Sequence, residues 1–565
     1  MTELKVVPQE ESLKFTKPKA TLEEITFSGG KTIEFHETEK VILVGPNNSG
    51  KSQSLREIVQ ICQTGNTNQA LVIKSLKLKK HGTSKDLLSY LNKNADLVQS
   101  QFQISDYLIH ESHVQFWDNN PYLINGLHVG SIKNIAANDR LNICNQQNSI
   151  SPGQHKTKPQ HVLYDDEELM ERVTTLFRNA FSRDLMFDFR GGSKLPIHVG
   201  VIPKSDGVVD RVGNDYTLKV RDNPLLDKQG DGIKSYAGIL FETVASERDI
   251  TLLDEPEAFL HPPQMRRLGE TLSSEVKGQL IVATHSSDIL RGFLEGTKGK
   301  VRILRIQRDG DVNVVHEAAS ETIKELWEKP ELRYSNALEG VFHEQTIICE
   351  DDSDCRLINS VADFLTNNTD ISFKDTSYVP TGGKHGIPKV ASVLRKIGVP
   401  IKAVFDIDFL SERDLVKNTV LAFGGNWTDI ETLWERVDSA VRGGVKPKSV
   451  EAIKAEIIKT INTSEQDKLP KGDISALLKQ GKAWNEVKRF GELAIPNGQA
   501  QQDYKFLQQA LEQLGVFVIP VGEIENFCPD VGSHGPKFVT KLLTDIPLAD
   551  ERLDNLKKFV AHVHS

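Results

Sequence analysis

Lys40-Val41-Ile42-Leu43-Val44 runs straight into Gly45-Pro46-Asn47-Asn48-Ser49-Gly50-Lys51-Ser52, and the fold reads outward from this stretch. The apolar run is a buried-type strand. Leu55, Ile58, Val59 and Cys62 then recur at helical spacing, so the order is strand, glycine loop, helix. The two glycines let backbone N–H groups close around phosphate oxygens, and the helix offers the positive end of its dipole. Lys51 is expected to reach the β- and γ-phosphates and Ser52 to hold Mg²⁺, with Gly45, Asn47, Asn48, Ser49 and Gly50 lining the loop.

A second strand, 250–253, ends in Asp254-Glu255. Two carboxylates at a strand end can divide the work: Asp254 joins the magnesium shell, and Glu255 stands beside the attacking water as general base. Strands are also expected at 25–28, 32–35 and 280–283, with helices over Glu167–Phe181 and 231–244. The span 194–220 reads as strands with glycine-rich turns, and 301–315 as a hairpin turning at Asp309-Gly310. A helix is expected over 321–328. Residues from about 64 to 190, rich in Asn, Gln and Ser, read as an insertion. The basic stretch 74–80 within it could touch DNA phosphates but reads first as a solvated charged face, and Arg442 and the lysines of 446–448 carry the same two readings.

The C-terminal half opens a second α/β series. Strand 346–349 leads into Glu350-Asp351-Asp352-Ser353-Asp354, and a helix follows with Cys355, Ile358, Val361, Ala362 and Leu365 on one face. Strand Ile401–Phe405 leads into Asp406-Ile407-Asp408, and strand 516–520 into Gly522-Glu523-Ile524-Glu525. Parallel sheets gather their chemistry at such strand ends. Asp406 and Asp408 share one face if their segment stays extended. Three carboxylate pairs suit hard cations, Mg²⁺ or Mn²⁺. Two such ions roughly 3.5–4 Å apart can activate water and stabilise the leaving oxygen of a phosphodiester. The polar stretch of about 413–512 reads as a helical insertion. With a boundary near 330–342, the α/β chain divides into 1–335 and 340–565.

Bulk properties narrow the class. The 565 residues exceed one hydrophobic core, so two to four domains are expected. A net charge of -9 argues against coating nucleic acid through bulk positive charge. The five cysteines are scattered with no Cys-x-x-Cys pair, which argues against a zinc site and a disulfide framework and suits a reducing compartment. Met1-Thr2-Glu3-Leu4-Lys5 opens polar, and no apolar run reaches the roughly 18 residues that span a bilayer. A cytoplasmic protein without membrane contact is expected.

Asp254-Glu255-Pro256-Glu257-Ala258-Phe259-Leu260-His261-Pro262 resembles the ATPase core of ABC-, RecF- and SMC-type proteins. Ala283-Thr284-His285-Ser286 resembles their switch histidine, which implies that His285 senses the γ-phosphate. Gly230-Asp231-Gly232-Ile233-Lys234-Ser235 resembles a divergent signature loop, which implies that Ser235 completes the ATP site of an opposite subunit in a head-to-tail homodimer. Gln146 and Gln147 lie in the region of the switch glutamine.

The acidic trio resembles a Toprim domain: Glu350 matches its first glutamate and Asp406-x-Asp408 its central pair, although Asp351 stands where a glycine is usual. Thr381-Gly382-Gly383-Lys384 also resembles a recurrent Toprim loop. An ABC-type ATPase followed by Toprim resembles the layout of the OLD (overcoming lysogenization defect) nucleases. That resemblance implies Asp354, Glu523 and Glu525 as further metal ligands and Lys537 as the lysine supporting the transition state, with Lys541 behind it. It implies a metal-dependent DNA endonuclease or nickase in anti-phage defence, with ATP, Mg²⁺ or Mn²⁺ and DNA as ligands. The partners implied are a helicase, or a retron reverse transcriptase with its RNA–DNA product. A RecF- or SMC-like DNA-organising ATPase with a non-catalytic Toprim domain is the alternative. A topoisomerase or primase lacks support, for want of a tyrosine-bearing DNA-binding domain or a zinc-binding cysteine set.

Overall fold

The computed structural model describes residues 17–104, 107–151, 154–203, 210–246, 248–329, 336–444, 450–462 and 483–565, with Pro470 and Ile474. The chain falls into two compact units, Met1–Glu328 and Lys329–Ser565. Residues 1–5 and 446–448, and residues 330–335 of the expected domain boundary, lie outside the described residues.

In the first unit, Lys40–Val44, Gln279–Ala283, Ile250–Asp254 and Ile132–Ile135 lie side by side and parallel. Arg302–Asp309 pairs parallel with the other edge of Lys40–Val44, and Val312–Glu317 closes that side antiparallel. The central strands are nearly continuous apolar runs because both faces are covered, as parallel sheets require. Helix Lys51–Thr64 buries Leu55, Ile58, Ile61 and Cys62 in the core that Val41, Leu43, Leu252 and Ile281 also enter. Glu57 on the same helix accepts from the N–H groups of Leu71, Val72 and Ile73, tying it to a second, antiparallel sheet of Thr32–Glu34, Lys19–Phe27 and Ile73–His81.

Two expectations change here. The span 64–190 is not simply inserted, because Ile73–His81 and Ile132–Ile135 are integral to the sheets. The basic stretch is accordingly a strand: Lys77 pairs with Glu24, and Lys80 donates to the carbonyls of Trp117, Asn120 and Tyr122. Within 194–220, Asn214–Arg221 is a helix, with Asp215 in its first turn and Lys219 and Arg221 in its last, complementing the helix dipole.

The second unit holds a parallel sheet in the order Thr376–Pro380, Gln345–Cys349, Ile401–Phe405, Val516–Val518. Helix Asp352–Asn368 buries the expected face, Cys355, Ile358, Val361, Ala362 and Leu365. The stretch between the last two strands is helical where described, including Arg413–Ala422, Trp427–Gly444, Ala483–Phe490 and Gln499–Gln513. No helix among the described residues is long and apolar enough to cross a membrane.

Candidate functional sites

The glycine loop has the backbone that phosphate binding needs. Gly45 has φ 142° and its missing side chain faces the Ile306 carbonyl; a Cβ there would lie 2.1 Å from that oxygen. Gly50 has φ 98° and ends the loop as the helix N-cap, with no side-chain capping bond and no acid in the first turn. The first helical N–H groups are therefore left for a ligand. The buried Ser49 hydroxyl has no hydrogen-bond partner, while Asn313 Nδ2 holds the Ser49 carbonyl at 2.6 Å. Asn47 and Asn48 are exposed, Asn48 at φ 59°. Lys51 is 4% exposed and donates to the Gly45 and Pro46 carbonyls, both at 2.8 Å. An orphaned hydroxyl, an uncapped helix end and a buried cation fit a nucleotide phosphate.

Ser52 Oγ donates to Asp254 Oδ1 at 2.7 Å, bringing together the two expected magnesium ligands. Burial pushes the Asp254 carboxyl above its ordinary range, a tendency opposed by the Ser52 bond. Glu255 sits beside it at φ 46°, in the left-handed region, with its side chain half exposed. His285 Nε2 lies 4.0 Å from Glu255 Oε1, too far for a hydrogen bond. Burial and the Lys51 charge lower the imidazole to about 4, so His285 is neutral at pH 7 and the contact is not an ion pair.

One residue around this site departs from its expected role, and two others act without having been assigned one. Ser235 is fully buried within helix Asp231–Thr243, its hydroxyl facing the Ala258 carbonyl at 3.3 Å. It cannot complete a partner's nucleotide site; the exposed positions of that loop are Gly230 and Asp231. Glu257, quoted above only as part of a motif, accepts from Thr284 Oγ1 at 2.8 Å and from the His285 N–H at 2.6 Å, and so holds the histidine loop. Arg140 carried no sequence signal. It is 0% exposed and donates to the carbonyls of Asp254 and Glu255 at 3.0 and 3.1 Å, bracing the strained turn at Glu255. Gln146 donates across the fold to Asp227, and Gln147 donates locally to the Asn145 carbonyl.

In the second unit the acids do converge. Glu350 leaves the end of Gln345–Cys349, and its Oε1 accepts from the Asp406 N–H at 3.3 Å. Burial pushes Glu350 up to about 7, with Asp406 and Asp408 adding repulsion. Asp354, one helical turn on, rises to about 7 through burial and then Asp406. Burial also raises Asp406 and Glu523, and Glu525 lies close enough to raise both further. Asp351, where a glycine is usual, N-caps helix Asp352–Asn368 in a reciprocal box with Asp354. The segment after Asp406 does not stay extended but turns into the 3₁₀ helix Ile407–Ser411. Glu523 and Glu525 likewise straddle the start of Ile524–Phe527.

Two lysines enter the cluster, one from the Toprim-like loop and one from a helix with no sequence signal. Lys384 Nζ reaches Asp408 at 3.2 Å and Glu412 at 2.8 Å. The Thr381–Lys384 loop delivers it, with Gly382 at φ 70°, Gly383 at φ 126°, and the Gly383 N–H donating to the Glu350 carbonyl. Lys488, in helix Ala483–Phe490, puts its ammonium 2.7 Å from Asp406, 3.4 Å from Asp408 and 3.7 Å from Glu523. Lys537 and Lys541 are exposed on helix Pro536–Asp545, and neither forms an ion pair with the acids. The Gly535 N–H makes that approach instead, at 2.7 Å from Glu525 Oε1. Ligand atoms of Glu523, Glu525 and the exposed His534 fall within 4.8 Å of one another. Buried oxygen donors that repel one another are the donor set a hard divalent ion requires.

Comparison with known proteins follows this division. Residues 204–291 match the family described as "AAA domain, putative AbiEii toxin, Type IV TA system". Residues 341–408 match "Overcoming lysogenization defect protein-like, TOPRIM domain". The Old nuclease of Escherichia phage P2 is 24% identical over 243 residues, covering 41% of this chain and 40% of its own, so the chain spans well under half the length of that relative. Among solved structures, an SmcHead bound to the C-winged helix domain of ScpA covers 54% of this chain and 99% of its own at 12% identity and TM-score 0.33. The SMC head domain from Thermotoga maritima covers 54% and 100% at 11% identity and TM-score 0.28.

Proposed function

We propose that this chain, which joins an AAA-type ATPase domain to an OLD-like TOPRIM domain, is an ATP-hydrolysing, divalent-metal-dependent DNA endonuclease or nickase. The observation that carries the nuclease half is the meeting of Glu350, Asp354, Asp406, Asp408, Glu523 and Glu525 from three strand ends. With Mg²⁺ or Mn²⁺ bound, these carboxylates would hold ions that activate water and stabilise the leaving oxygen. The chain's own residues orient the acids: Asp351 fixes Asp354, the Thr381–Lys384 loop fixes Glu350, and Gly535 fixes Glu525. The first test is supercoiled plasmid incubated with either metal. Nicking or linearisation that chelator abolishes is expected; intact plasmid under every metal and nucleotide condition contradicts the proposal.

For the ATPase half, Lys51 and the loop N–H groups bind the phosphates, while Ser52 and Asp254 would hold Mg²⁺. Glu255 takes the proton of the attacking water, and neutral His285 can donate to the terminal phosphate. Dimerisation through this unit, with ATP state governing DNA access to the acids, is the regulatory arrangement this reading implies. Its setting would be phage defence beside a linked helicase or retron reverse transcriptase.

Arg140→Met tests the brace beneath Glu255. Losing two charge-assisted bonds to a strained turn should slow ATP turnover by about ten- to a hundredfold. KM should change little, because the Arg140 bonds go to the carbonyls of Asp254 and Glu255 and not to the phosphate loop. An unchanged turnover rate would remove the bracing role.

A pH dependence of stability follows from the acids. Glu350 and Asp354 titrate near 7 when folded but near their ordinary carboxylate values of 4.5 and 3.8 when unfolded. Between those limits the folded state binds more protons, so metal-free stability falls as pH rises from about 4 to 7. A divalent ion replaces those protons. Mn²⁺ should therefore raise Tm more at pH 8 than at pH 5.5; an equal or larger rise at pH 5.5 would count against a cation site at these acids.

A further inference from the structure

The helix carrying Lys488 is clamped to the third acidic motif. Asn526 Nδ2 lies 3.1 Å from the Lys488 carbonyl, 3.3 Å from that of Arg489 and 2.9 Å from that of Val521. Gly522, at φ 103°, comes so close that a Cβ there would sit 1.9 Å from the Lys488 carbonyl. Any other residue at that position would push the helix away. At the start of the helix, Trp484 is buried and donates to Asp438 at 2.7 Å, and Val487 is buried as well. Lys488 is thus fixed at its backbone, and the four-carbon stem alone decides where its charge lies.

Its ammonium sits among oxygens of three carboxylates from two strand ends, at 2.7, 3.4 and 3.7 Å. These are oxygens that a divalent ion would also need. Mg²⁺ requires its ligands at about 2.0–2.1 Å in near-octahedral geometry, which leaves no room for an ammonium on the same lone pairs. Two cations cannot share Asp406 Oδ2 at such distances without strong repulsion.

We infer that Lys488 is the resident counter-ion of the acid site, and that a divalent ion binds Asp406 and Asp408 by displacing its ammonium. The inference rests on the proposed metal-binding role of these acids. It adds that the chain itself sets the metal concentration at which they load. Withdrawn from the carboxylates, the ammonium remains on its anchored helix beside the site, so each round of metal loss can restore the ion pairs.

Mn²⁺ binding to the full-length, nucleotide-free protein, followed by the electron paramagnetic resonance of the free ion, tests this. Lys488→Met should tighten binding by about tenfold or more, the scale on which removing one adjacent like charge acts. Lys488→Arg, which keeps the charge, should bind as the native protein does. Asp406→Asn is the reference that identifies the site and should weaken binding. If Lys488→Met binds no tighter while Asp406→Asn binds more weakly, the displacement is wrong and the metal site stands. If Asp406→Asn binds as the native protein does, the ion is elsewhere and both readings fall. A measurement on the native chain covers the case in which Lys488→Met fails to fold. Acetylation of Lys488 by acetic anhydride, read by mass spectrometry, should rise when Mg²⁺ is added; unchanged or lower labelling overturns the inference.

Discussion

Asp406→Asn should abolish DNA cleavage, by about a thousandfold or more, and leave ATP hydrolysis at its native rate. A catalytic metal supplies several kcal/mol of charge stabilisation, and each 1.36 kcal/mol is tenfold in rate. Asp406 is the acid to change because its surroundings involve most of the cluster. Its N–H meets Glu350, its carboxylate meets Lys488, and Asp408 and Glu525 both raise its proton affinity. Asparagine preserves the shape but cannot supply the negative oxygen that holds the ion. The fold should survive, since the substitution also removes a carboxylate that burial opposes. Plasmid cleavage and phosphate release measured on one preparation check both halves. Retained cleavage would mean that another centre does the chemistry; lost ATP hydrolysis would mean general misfolding.

The second large effect is expected at Glu255. Glu255→Gln should slow ATP hydrolysis by about a hundred- to ten-thousandfold, the range a positioned general base contributes, while nucleotide still binds. Binding is retained because the phosphate contacts belong to Lys51, Ser52 and the loop N–H groups. Lys51→Ala should lose binding as well as turnover, because its buried ammonium, held at two loop carbonyls, is the charge beside the phosphate site. The two variants therefore separate catalysis from binding. A Glu255→Gln protein that hydrolyses ATP at the native rate would assign the base elsewhere. Comparing DNA cleavage by the two variants then reports whether bound ATP or its hydrolysis acts on the nuclease centre.

What the sequence made legible was whatever lies within a few residues along the chain. The strand, loop and helix around Gly45–Ser52 are local, and so are the three strand ends bearing acids, because a parallel strand announces itself as an apolar run. Residues that act across the fold were silent. Lys488 is 82 positions from Asp406, in a polar helical stretch where one lysine looks like any other. Arg140 follows a short edge strand read as part of an insertion, and only sheet pairing brings it under Glu255. Resemblance erred at Ser235 for a related reason. Matching a loop's order does not fix which side chain faces outward, and Ser235 falls on the buried side of its helix.

Convergence of the acids on cations is tested most directly by diffraction from crystals of the full chain soaked in Mn²⁺, recorded at the manganese edge. Anomalous peaks are expected within ligand distance of Asp406 and Asp408 and of the Glu523–Glu525 pair, with the Lys488 ammonium moved off the carboxylates. Manganese found only between Ser52 and Asp254, with the acids of the second unit bare, would contradict the nuclease assignment.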